Sequence, residues 1–418
     1  MSCRYLYSIL RDTHLQYRDI RSPLCKPVLW SRLARDDMRA SLTRSLTILP
    51  ENVFNDMQSV ISDYLPMEER VPEEYRECSP VDNGRNSDVP RRREVLHGHE
   101  QNLIAALKRM TNLRQFRWFR MPPPVSEGKD DLWTMLNSLG TVEELHVLDL
   151  QDLKSSGWRS VVETPSFLSF QGLTFLDLRT DVADRAEDDP DLDPLLRMLV
   201  NCPRLKSLRV HLQLFSQVVA ADAEILVQEG RWPQLTSLYL EGFSCQPDSL
   251  SAFLSHHEAL RELRLSCMMP GYRWRDLSLP QGSLPNLCTL ECHSPTAAAL
   301  LRDPQVAPNL ASLRGIDLSD TVRLNDYFLL DYEYDEPEFG EPDVHKERPS
   351  PWKAELLEAI RAHPRITSIE VDKKPTAAQI RELRQVAPQL KELSFCGEYD
   401  RKGEHLWHEA RFHSPRLV

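Results

Sequence analysis

No apolar stretch in this 418-residue chain runs longer than five residues, the length of both Leu103–Leu107 and Ala297–Leu301. A membrane-crossing helix needs roughly 20, so none is expected. The opening MSCRYLYSILRDTHLQ is broken by Arg4, Arg11 and Asp12 and lacks the apolar core of a secretory signal. Glycine is scarce, at 14 residues, and no G-x-G-x-x-G, Walker or G-x-S-x-G pattern occurs. The backbone turns that cradle phosphates or raise a nucleophile have no counterpart, so no catalytic residue and no cofactor is assigned. Asn-x-Ser/Thr is absent, and nine cysteines, an odd number, are scattered from Cys3 to Cys396. That usage fits a reducing compartment, cytoplasmic or nuclear, better than a disulfide framework.

A broad basic surface is missing too. The net charge is −12, but residues 181–193 hold seven acids and one arginine, and residues 331–343 hold seven acids and no base. Everything outside these two insertions nets +1. A near-neutral body argues against a nucleic-acid footprint. Like-charge blocks of this kind usually serve as solvated loops, with docking of a basic partner as the sharper reading.

What the chain does have is a repeat. A unit of the form x-P-x-L-x-x-L-x-L begins at Leu113, Val142, Leu173, Leu205, Leu235, Leu260, Leu287, Leu310, Ile366 and Leu390. Successive starts lie 29, 31, 32, 30, 25, 27, 23, 56 and 24 residues apart. Taking 56 as two periods with one degenerate unit, the repeat averages 27.7 residues, within the leucine-rich-repeat range. Helical patterns fall between the units. Asp248 is placed to cap a helix carrying Leu250, Phe253 and Leu254, Thr376 and Gln379 form a capping-box signature, and PWKAELLEAIRAH stops at Pro364.

One unit offers three strand-side apolar residues, worth about 1.5–3 kcal/mol each when buried, against roughly 1–2 kcal/mol of backbone entropy per ordered residue. It cannot fold alone, so the units must stack. The expected fold is α/β, a leucine-rich-repeat solenoid over 96–418 with strands lining the inner, concave side and helices outside. The acidic insertions interrupt it, and the helix near Glu100–Met110 or the tail HLWHEARFHSPRLV is a candidate cap. Residues between the strand leucines would then form a protein-binding face, because side chains alternate along a strand. In register these are Arg117, His146, Asp177, Arg209, Tyr239, Arg264 and Glu291, followed two steps on by Arg179, His211, Glu241 and His293. Arginine and tyrosine are enriched at binding hot spots, but an ordinary solvated strand face explains any one of them equally well.

Metal patterns fail on spacing. Cys288, Cys292 and His293 have no second ligand pair, and Cys292 takes a strand-leucine place. His405, His408 and His413 with Glu404 and Glu409 miss the HExxH spacing because Phe412 stands where the second histidine belongs. Arg91–Arg93 is too short to read as a nuclear signal.

Ahead of the repeats, four prolines among charges make 66–95 a flexible linker. Residues 1–65 form a small helical segment; the first 50 carry nine Lys/Arg against four Asp/Glu. The run LRDTHLQYRDIRSPLCKPVLWSRLARDD, followed by RSLTILPENV, resembles the end of an F-box and its connecting segment in F-box/leucine-rich-repeat proteins, especially divergent fungal members. NCPRLKSLRV resembles their repeats, which are helix-bearing and ribonuclease-inhibitor-like. The Leu-Pro opening of such a module has no counterpart before Tyr5. The resemblance implies a non-enzymatic substrate receptor, joined by residues 1–65 to the adaptor of an SCF-type ubiquitin ligase. The alternative is a free-standing interaction scaffold whose residues 1–65 merely cap the array.

Overall fold

Every second side chain of an isolated strand points to the same side, and this alternation organises a computed structural model of the chain. The structure describes residues 17–49, 89–120, 123–125, 131–149, 159–182, 191–212, 221–266, 274, 276–323, 347–350, 352–395 and 408–411. The chain divides into two compact units, Met1–Ala186 with Asn201–Leu205, and Glu187–Val200 with Lys206–Val418.

In the first unit, β1 (Asp19–Pro23), β2 (Ser45–Leu49), β3 (Gln115–Trp118), β4 (Glu144–Asp149) and β5 (Phe175–Thr180) pair parallel in that order. Their crossovers carry α1 (Pro27–Arg35), α2 (Asp37–Ser41), α3 (Val89–Leu107) and α4 (Leu132–Leu139). Helix α3 lies against both α1 and α4. Asp131 starts α4 by accepting the Thr134 N–H at 2.5 Å, and Gly140, at φ 63°, ends it where other residues would be strained.

The second unit holds β6 (Ser207–Leu212), β8 (Ser237–Glu241), β10 (Glu262–Ser266), β11 (Thr289–Cys292), β12 (Ser312–Ile316), β15 (Ser368–Val371) and β16 (Glu392–Phe395), again parallel and in that order. Helices α5 (Asp193–Val200), α6 (Glu224–Glu229), α7 (Pro247–Ser255), α8 (Ser294–Leu300), α9 (Lys353–Ala362) and α10 (Ala377–Val386) lie in the crossovers. A short parallel pair, β7 (Ala221–Asp222) and β9 (Phe243–Ser244), forms beside the sheet. From the tail, β17 (His408–Arg411) adds antiparallel to β16. The architecture is therefore α/β, with parallel strands and helical crossovers in both units. No helix among the described residues is long and apolar enough to cross a membrane.

The strand leucines supply the core. From Leu113 to Val371, the three apolar positions of every repeat are buried, none more than 7% exposed. Only the last repeat opens, with Leu390 and Phe395 half-buried. Backbone polar groups at the buried strand starts need partners, and they find them by one recurring device. The carbonyl of a residue such as Arg44, Arg114, Thr236, Arg261, Cys288 or Ala311 accepts the N–H groups of two successive residues in the next repeat. A second recurring bond closes the turn before the strand, as in Leu235 N–H to the Trp232 carbonyl (2.9 Å) and Leu260 N–H to His257 (3.0 Å).

Several expectations need correction. The 56-residue interval is not two periods, since β12 and β15 are direct neighbours in the sheet, with no strand between them there. The extra length leaves through an antiparallel hairpin of β13 (Thr321–Arg323) and β14 (Glu347–Pro349). The insertion 331–343 lies outside the described residues, as does most of 181–193. Residues 89–95, expected as linker, open helix α3, while 66–88 lie outside the described residues. Within the segment expected as a separate helical piece, β1 and β2 continue the strand order, and Ser45 pairs with Gln115. Helix α7 is flanked by Gln246, with Pro247 in its first position, so Asp248 sits in the first turn and does not cap. The capping box of Thr376 and Gln379 is present.

Candidate protein-binding face

On the strand face turned away from the helices, the outward residues line up by backbone register. In the first unit Arg117 stands beside His146, and His146 beside Asp177. Arg21 and Thr47 extend the same row onto β1 and β2. Arg179 lies two residues past Asp177, opposite Leu148, and its Nε donates to the Asp177 carboxylate at 3.4 Å. His146 Nδ1 is 3.9 Å from Asp177, and its ring stacks on Phe175 with centroids 4.5 Å apart.

The second unit carries a row of equal length, Arg209, Tyr239, Arg264, Glu291 and Arg314 on neighbouring strands of the sheet. Arg264 is its centre. Its guanidinium carbon sits 4.3 Å from the centroid of the Tyr239 ring. Its Nε reaches Glu291 at 2.8 Å, and a terminal nitrogen lies 3.9 Å from Glu241. Glu241 also accepts from the Tyr239 hydroxyl and faces His211 Nε2 at 3.3 Å. The His211 and Tyr239 rings meet edge to face at 6.1 Å. Tyr239, Arg264 and Glu291 of the row are thus linked to Glu241 and His211 in one network.

Its electrostatics follow from burial. The Glu291 carboxyl is held above its ordinary range chiefly by desolvation, opposed by Arg264 and reinforced by Glu370. Asp372, past β15, is also raised by burial, with His293 opposing. Arg264 and Arg314 are 44% and 48% exposed, whereas Glu241 is 13% exposed. The carboxylates lie below and the guanidiniums stand above them.

Of the ten candidate residues, Arg117, His146, Asp177 and Arg179 lie on the outward strand side of the first unit, and Arg209, His211, Tyr239, Glu241, Arg264 and Glu291 on that of the second. His293 leaves the row to become the residue ahead of helix α8. Two members escaped the pattern. Arg314 precedes Gly315, whose φ of 72° marks a bulge that moves the next inward residue from position 315 to Ile316. Its partner Glu370, 3.9 Å away, lies beyond the long interval.

Cys292 fills its strand-leucine place and is 3% exposed, with burial pushing its thiol up. Among the described residues no group of His, Cys, Asp and Glu is arranged to hold a metal ion. The histidines 405 and 413 lie outside the described residues. Chemically, the face offers hydrogen-bond donors and stacked planar groups.

No family model and no curated protein matches the chain. Among solved structures, a protein from Bacteroides fragilis is similar at 13% identity and a TM-score of 0.29, over 60% of this chain and 65% of that one. The chain thus spans slightly less than two thirds of that protein, and a likeness of this size adds nothing to the fold described above.

Proposed function

We propose that the chain is a non-enzymatic protein-recognition subunit, built as a helix-bearing leucine-rich-repeat solenoid that binds its target through the strand face. The observation that carries this reading is the row Arg209, Tyr239, Arg264, Glu291 and Arg314, held in register on successive strands of one unit. Tyrosine and arginine in a preorganised, half-buried network are the residue types that dominate binding energy. A photoreactive residue at Ser237, on this face, is expected to cross-link a partner. One at Glu355, exposed on α9, is not. The adduct should disappear when Arg209, Tyr239 and Arg264 are all alanine, and equal capture from both positions would defeat the proposal.

Membership of an SCF-type ubiquitin ligase rests on the resemblance of residues 10–37 and 44–53 to an F-box end and its connecting segment. Co-purification with an SCF adaptor and cullin is the outcome it requires. The second reading, a free-standing scaffold, is favoured by the pairing of β2 with β3. On that reading residues 1–65 cap the array, and deleting them lowers the melting temperature of the rest; an adaptor module is removable with little change.

A further inference from the structure

We propose that the Tyr239–Arg264 platform in the second unit is a seat for an aromatic side chain, carried on an extended, uncharged segment of the partner protein. This rests on the recognition reading above and names the chemistry of what is recognised.

A guanidinium has two ways to hold a ligand. Its in-plane N–H edges pair with carboxylates, and its flat faces stack on rings. In Arg264 the Nε edge is engaged by Glu291 at 2.8 Å, and a terminal nitrogen stands 3.9 Å from the Glu241 carboxylate, at ion-pair distance. One face is engaged as well, by Tyr239 at 4.3 Å. The residue nevertheless remains 44% exposed, so the face away from Tyr239 is what it presents. An incoming carboxylate would compete with two fixed ones. An incoming ring would complete a sandwich with Tyr239 and gain the cation–π attraction.

The surroundings point the same way. Arg264 pairs with Glu291, Arg314 with Glu370, and Lys373 with Asp317 at 3.4 Å. Paired charges cancel beyond the Debye length, about 8 Å at physiological salt, so a strongly charged partner gains little from this face. Beside the platform, at the strand starts, run Ser207, Ser237, Thr289, Ser312 and Ser368, broken only by Glu262, which accepts from the Ser237 hydroxyl at 3.2 Å. These short side chains leave a low ledge along which an extended backbone can lie next to the seated ring.

Random octapeptides displayed on phage and selected on the full chain test the idea. Selected peptides should share one aromatic position and carry no net acidic or basic bias. Replacing that residue's ring with cyclohexylalanine keeps size and hydrophobicity but removes the π face. Affinity should fall about twofold to thirtyfold, the range of a cation–π contact. Arg264→Lys should weaken binding at least as much, while Glu355→Gln, exposed on α9 and off the strand face, leaves it unchanged; if Arg264→Lys unfolds the unit, the cyclohexylalanine comparison on the natural chain decides alone. Four results would overturn the proposal: no enrichment, an acidic or basic consensus, a steep loss of affinity with salt, or equal affinity for the cyclohexyl peptide. Should those occur while cross-linking from Ser237 still captures a partner, the aromatic seat fails and the recognition reading stands. Loss of both removes the reading itself.

Discussion

Replacing His257 with alanine should destabilise the second unit by about 3–7 kcal/mol, a magnitude that follows from two contributions. The imidazole is 2% exposed and packs 4.2 Å from the Phe253 ring and 5.9 Å from Trp232. Truncating a buried side chain of this size to alanine costs about 2–4 kcal/mol. The ring also serves the backbone: Nδ1 bonds the Phe253 carbonyl at 2.7 Å, and Nε2 accepts the Trp232 N–H at 3.1 Å. Stranding that buried amide costs about 1–3 kcal/mol more. The same geometry sets a pH dependence. Burial, with Arg231 and His256 nearby, lowers the His257 pKa below its ordinary value, although its bond to Phe253 opposes the shift. His363 is lowered likewise, chiefly by burial. Between the folded and unfolded values the unfolded chain binds more protons, so stability is complete above about pH 6.5 and declines as pH falls below it. Urea unfolding on both sides of that pH, combined with hydrogen exchange at the Trp232 amide, provides the assay. The natural chain should lose stability on acidification, and His257→Ala should show a shallower loss and a rapidly exchanging amide. An identical pH slope in both proteins, or an amide that stays protected in the variant, would refute the reasoning.

Two further substitutions probe the backbone. Gly242 sits at φ 80°, and a Cβ there would lie 2.6 Å from the Leu212 carbonyl oxygen; Gly242→Ala should cost at least about 2 kcal/mol, from left-handed strain plus displacement of β6, and an unshifted urea midpoint would contradict the local geometry. Thr376→Ala removes the side chain that accepts the Gln379 N–H at 3.3 Å; a loss of about 1 kcal/mol, with faster exchange at the start of α10, is expected.

The strand leucines were legible because their spacing has one cause, alternation along a strand whose inner side must be dry. Where a polar residue takes one of those places, the pattern disappears from the sequence. Thr43 occupies the first apolar position ahead of Leu46 and Ile48, and Ser22 occupies the third after Ile20, yet both polar residues are buried, at 0% and 5%. That is why β1 and β2 read as a different kind of segment. A bulge hides information differently: Gly315 places Leu313 and Ile316 three apart instead of two, which conceals Arg314. Length alone misled at the 56-residue interval, because a hairpin excursion and a missing repeat have the same arithmetic. The face residues were identified by position, but their network was not: nothing in spacing announces that Arg264 lies over Tyr239 between two glutamates.

The central claim is that successive repeats stack as parallel strands in a fixed register, which brings the face residues into line. Ser237 and Glu262 are register partners on β8 and β10. Adjacent strands are about 4.8 Å apart, inside the Cα separation of roughly 4.4–6.8 Å that a disulfide accepts. With Cys288 replaced by serine, Ser237→Cys combined with Glu262→Cys should oxidise to a cross-link identified by mass spectrometry. Ser237→Cys combined with Arg264→Cys, offset by two residues and about 8 Å apart, should remain reduced. A cross-link in the offset pair but not in the aligned one would contradict the register and everything built on it.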